Sequence, residues 1–135
     1  MNDYFSRFRS APPSLKKSAA LLMVAWICHP LFIHAFFWAN DAVAQAQQII
    51  LRMAIVSVCL AIFLLLIKKW ARALVVTGNL LIVIYDLFVL AAAPSNTTLM
   101  LLCTGVVVFT VLGTYWLFVK DSRDYFDQVN PTPRR

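Results

Sequence analysis

The chain has 135 residues, 61% of them hydrophobic and 13% charged, and it contains no Glu. A soluble domain this small cannot hide so much apolar surface from water, so the composition excludes an ordinary water-soluble fold and points to a bilayer. The net charge of +6 does not mark a nucleic-acid binder: the basic residues stand at the ends of apolar runs and in the tails, where they orient a membrane protein and meet lipid headgroups.

Residues 1–17 read as a cytoplasmic interfacial tail. Tyr4, Phe5 and Phe8 fall on one side of a short amphipathic helix, beside Arg7 and Arg9. Ala11-Pro12-Pro13 ends it, and Ser14 is placed to cap the first span.

Four apolar stretches are each about 20 residues long, the length a spanning helix needs. They cover about 18–38, 49–67, 73–92 and 99–119. Lipid offers the backbone no hydrogen bonds, so each stretch is expected to be helical. Basic residues followed by an apolar run and Ala42-Val43-Ala44 also suit a cleaved signal peptide. The run is longer than the roughly 7–15 residues of a signal core, so the first span is expected to be retained.

Every Lys and Arg except Arg52 falls on one side of this layout: before span one, between spans two and three, or after span four. The positive-inside rule then puts both termini and the middle loop in the cytoplasm, and the membrane is read as a bacterial inner membrane. The predicted fold is an all-α integral membrane protein. It is a four-transmembrane-helix bundle, up-down-up-down, with amphipathic helical extensions at both cytoplasmic ends.

The link Lys68-Lys69-Trp70-Ala71-Arg72 is short enough to force a tight antiparallel hairpin of spans two and three. On the other side lie the polar stretch Ala39 to Gln48 and the segment Pro94 to Thr98. Pro94 stops span three, and Ser95, Asn96 or Thr97 is placed to cap span four. Asn96-Thr97-Thr98 matches a glycosylation sequon but reads as that cap.

Tyr115, Trp116 and Phe118 form an interfacial aromatic belt. Beyond it, Val119, Ser122, Phe126 and Val129 recur at helical spacing, so span four is expected to continue as a helix to about 129 within the cytoplasmic tail 120–135. Arg123 and Asp127 stand i,i+4 on it. Lipid anchoring is the expected role of both tails, with partner docking as the alternative.

A charge inside a span costs roughly 2.5–3.5 kcal/mol at the centre, which singles out Arg52 and Asp86. Counted outward from the tight hairpin, the two lie at equal depth in the outer half of the bilayer, and they are expected to pair. Asn79 precedes Asp86 by seven residues and Arg72 precedes Asn79 by seven, so the three share a face that should point into the bundle. His34 lies near the same depth and completes a candidate intramembrane cluster of Arg52, Asp86, Asn79 and His34. His29 stands about 140° round the helix from His34, and the following Pro30 frees the Trp26 carbonyl, so His29 is read as a core residue. Span four carries Cys103, Thr110, Gly113 and Thr114 near one face, small residues suited to close packing within the chain.

In size and span number the chain resembles the small multidrug resistance transporters. Their hallmark acid in the first span has no counterpart here, where the acid within a span is Asp86 in span three, so this resemblance carries no function. Thiol-oxidising four-helix membrane enzymes need CxxC pairs, and Cys28, Cys59 and Cys103 form none.

The reading is therefore a small polytopic membrane protein acting as a non-enzymatic accessory subunit, scaffold or regulatory component. The alternative is a small oligomeric transporter or channel with a polar site at Arg52 and Asp86. No catalytic residue, metal ligand or cofactor is assigned. The partners expected are the lipid bilayer and either another membrane protein or a second copy, with no nucleic acid.

Overall fold

The computed structural model describes residues 2–40, 43–92 and 96–130, with the backbone alone for 2–5, 43 and 45. Pro94, Ser95 and the tail beyond Asn130 lie outside the described residues. Six helices follow in order: α1 (Asn2–Arg9), α2 (Pro13–Ala39), α3 (Val43–Leu65), α4 (Lys69–Ala91), α5 (Thr97–Phe118) and α6 (Lys120–Val129). Helices α2 to α5 are long and apolar enough to cross a membrane. Among the described residues there is no strand.

The helix ends follow local chemistry. Pro13 opens α2 at a position where its missing N–H is no loss. Pro12, not Ser14, occupies the N-cap and makes no side-chain cap bond. Ser14 turns instead to Ser122 of α6, with the two hydroxyls 2.9 Å apart. The Asn96 side chain caps α5 by accepting from the Leu99 N–H at 3.2 Å. Helix α3 begins at Val43, so part of the polar stretch before span two is helical.

Helix α2 packs against α5, α3 and α4 and forms the spine of the bundle. Ser18 donates to the Gly113 carbonyl at 2.7 Å, while Phe32 and Ile33 cluster with Leu99 and Cys103. Gly113 permits this approach. A Cβ there would stand 2.6 Å from Leu22 Cγ and 3.2 Å from the Leu22 backbone nitrogen, so α5 closes on α2 only where a side chain is missing. The small-residue face of α5 thus packs within the chain, with Cys103, Thr110 and Gly113 buried.

Between α3 and α4 the chain turns in three residues, with Ile67 at φ +49°. A β-branched residue in this left-handed region is strained by about 1–3 kcal/mol and needs support from its surroundings. The Ile67 side chain is fully buried, and its carbonyl accepts from Asn130 Nδ2 at 2.8 Å.

Helix α6 is not a straight continuation of α5. Val119, extended at φ −59° and ψ 147°, breaks the two apart. The Ser122 hydroxyl donates to the Trp116 carbonyl across that break at 2.9 Å. Phe126 is buried, and Arg72 of α4 lies 5.2 Å over the rings of both Phe118 and Phe126. Tyr125 donates to the Arg7 carbonyl of α1 and lies 3.0 Å from the Ser10 hydroxyl. The apolar face of α6 is therefore occupied inside the chain. Asp127 pairs with Lys69 at 2.7 Å, not with Arg123. Helix α1, the start of α2, the α3–α4 turn and α6 thus meet at one end of the bundle, and that end carries the described Lys and Arg residues apart from Arg52.

Candidate functional site

The buried polar residues lie between α2, α4 and α5. On α4, Asn79 and Asp86 recur two turns apart on the face that packs inward, and both are buried. On α2, Trp26 and His29 stand one turn apart and face them. Trp26 Nε1 donates to Asn79 Oδ1 at 2.8 Å, and Asn79 Nδ2 donates to Thr114 Oγ1 of α5 at 3.2 Å. One asparagine thereby ties three helices together.

Seven residues along α4, Asp86 meets His29. His29 Nδ1 lies 2.9 Å and 3.0 Å from the two carboxylate oxygens, and both side chains are fully buried. Near-equal distances suit one ring N–H shared between two acceptor oxygens. With Asp86 ionised, Nδ1 is the donor to it. The Tyr85 ring stands edge-on to the imidazole at 6.4 Å between centroids.

This arrangement corrects the expected partner of Asp86. Arg52 and Asp86 form no ion pair, and the Arg52 side chain is exposed on α3. Their equal depth itself holds. Leu60 lies against Gly78, and these stand eight residues nearer the turn than Arg52 and Asp86 on their respective helices. Depth, however, carries no direction around the axis. Arg52 precedes the inward-facing Ser57 by five residues, about 140° round the helix. His34 is likewise exposed, beside Trp38 at 6.2 Å, and takes no part in the cluster. Asn79 and Asp86 face inward as expected, and Arg72 continues their line to the base.

His29 and Trp26 are the site residues that sequence reasoning missed, although a signal existed. Span starts at 18 and 73 put Asp86 level with residue 31, between His29 and His34. His29 falls on the stripe Ser18, Leu22, Trp26, His29 and Ile33, spaced like an inward face, and His34 falls off it.

Three buried polar atoms have no hydrogen-bond partner among the described residues: His29 Nε2, Ser57 Oγ and Thr110 Oγ1. Two lateral clefts flank α3. One, about 430 Å³, lies between α2 and α3 and is lined by Trp26, Pro30 and Ser57 among others. The other, about 520 Å³, lies between α3 and α4 with His29 among its lining residues. Among the described residues no three His, Cys, Asp or Glu side chains are grouped so as to hold a metal ion.

Comparison of the chain with protein-family models, with curated proteins and with solved structures gave no match.

Proposed function

We propose that the protein is a non-enzymatic accessory subunit or scaffold of a bacterial inner-membrane complex, crossing the bilayer four times, up-down-up-down, and meeting its partner through α3. Both termini and the α3–α4 turn face the cytoplasm in this reading. The clustering of Arg7, Lys17, Lys69, Arg72 and Arg123 with the elements at one end of the bundle supports that orientation. The observation that carries the role is Arg52. The polar residues of α2, α4 and α5 mostly pair inside the chain, whereas Arg52 lies exposed in the span that is least buried by its neighbours. An exposed charge within a span calls for an acidic group from a neighbouring protein or an outer headgroup.

Cys59, exposed two turns along α3 from Arg52, supplies the test. In native membranes, oxidative cross-linking through Cys59 should trap a defined second chain, either another protein or a second copy. Arg52→Leu should abolish the cross-link while the purified chain unfolds as before. A cross-linking pattern unchanged by Arg52→Leu refutes the role of α3. A reporter fused after Arg135 that is active outside the cell refutes the orientation.

A second reading, a small oligomeric transporter or channel, is favoured by the buried His29–Asp86 pair together with the Ser57 and Thr110 hydroxyls, which have no partner among the described residues. Its polar site is then Asp86 with His29, without Arg52. Flux into liposomes that disappears in Asp86→Asn supports it, and absence of flux across ion and drug panels removes it.

A further inference from the structure

The geometry points to a lateral binding site in the α3–α4 cleft for a lipophilic phenol or hydroquinone, whose hydroxyl donates to Nε2 of His29. The space is about 520 Å³, within the range of small-molecule pockets, and it opens sideways between two helices. Met53 and Val56 of α3, with Leu81, Ile84 and Phe88 of α4, give it apolar walls. His29 lines it yet is fully buried, so the imidazole lies at its floor.

An apolar cleft in lipid would by itself hold only acyl chains. The imidazole makes this one selective. Nδ1 is engaged with both oxygens of Asp86, and Nε2 has no partner among the described residues. With the ring proton on Nδ1, Nε2 presents a lone pair, and a buried acceptor left unmatched is unfavourable. A group that satisfies it must donate a hydrogen bond and must arrive through hydrocarbon. A hydroxyl on an aromatic ring with an alkyl tail meets both conditions, because the ring fits beside Tyr85 and Phe88 while the tail leaves through the open side. Asp86 holds the imidazole in the required tautomer and so acts as a positioning residue. The Val56 wall stands one turn from Arg52 on α3, so the site is read on the chain alone, where no partner covers that side of the helix.

The test uses the full chain in nanodiscs with 4-decylphenol and its methyl ether, which differ only in the donating hydrogen. Saturable binding of the phenol is expected, tighter than the ether by about tenfold or more. Val56→Trp, which fills the cleft from the α3 side, should abolish it. His29→Phe should remove the preference between the two compounds. Because His29→Phe also breaks a buried pair, the ¹⁵N resonance of His29 Nε2 in the unmodified chain is the second measurement. It should move with the phenol and stay with the ether, while His34 stays with both. Equal binding of phenol and ether, no saturation, or binding indifferent to Val56→Trp overturns the site and leaves a cleft filled by lipid tails.

Discussion

Helices α5 and α3 are of nearly equal length and similar hydropathy, yet the bundle holds them differently. Helix α5 starts on an Asn96 cap, closes on Leu22 through Gly113, receives the Ser18 hydroxyl on its backbone and accepts Asn79 on Thr114. Among the described residues α3 makes no side-chain hydrogen bond to another helix. Only 17% of its apolar stretch is buried, against 28% in α5. It leans on the bundle through Leu60 and Leu64, with a cleft on each flank. In lipid, apolar contact between helices gains little over contact with acyl chains, so close packing and interhelical hydrogen bonds fix neighbours. Helices α2, α4 and α5 have both, and α3 is the element left free to take a partner or a ligand.

That contrast fails most visibly if Asp86→Ala is harmless. Leaving the His29 Nδ1–H buried without its acceptor should destabilise the fold by about 1–3 kcal/mol, read as a shift in detergent-denaturation midpoint. Replacing both partners with apolar residues, as in His29→Phe with Asp86→Leu, should recover much of the loss, because no orphaned polar group remains. Gly113→Val comes next, at about 1–3 kcal/mol, since the new side chain meets Leu22 including its backbone. Gly105→Ala, whose Cβ would meet nothing nearer than 4.0 Å, is the matched control and should leave the midpoint in place.

On α3 the expectation reverses. Arg52→Leu should change the stability of the isolated chain by less than about 0.5 kcal/mol. Hydrogen exchange should show α3 amides opening before those of α5, and equal protection of the two helices removes the distinction.

The smallest effect lies at the base. Lys69, which hydrogen-bonds Asp127 and attracts its charge, holds that carboxyl below its usual range. A lowered folded value means that the contribution is present above the ordinary carboxyl range and fades as pH falls through the lowered value. Proteolysis of α6 should therefore accelerate in acid, and Asp127→Asn should show the acid-state rate already at neutral pH. A profile unchanged by the substitution excludes the pair as a fastener.

Much of the layout was legible along the chain, because it depends on one-dimensional quantities. Apolar runs of spanning length, Pro and Asn at helix ends, and basic residues at alternate boundaries need no tertiary information. The equal depth of Arg52 and Asp86 followed from counting along two helices out of a short turn. Helical spacing also placed Arg72, Asn79 and Asp86 on one inward face, and Cys103, Thr110 and Gly113 on another.

Tertiary structure decided what counting cannot reach, namely rotation about each helix axis and the choice among candidates at one depth. A helix of apolar residues has little hydrophobic contrast around its circumference, since lipid and protein interior are both apolar. Nothing local therefore told Arg52 to face out, and only the stripe of Ser18, Leu22 and Trp26 pointed His29 inward. Close packing at Gly113 and the Trp26–Asn79 bond set the rotation of α2, and that brought His29 rather than His34 to Asp86. Helix α6 was settled in the same way. Its apolar stripe suits lipid, a partner or its own bundle equally well, and the break at Val119 with the Ser122 hydrogen bonds turned it onto the bundle.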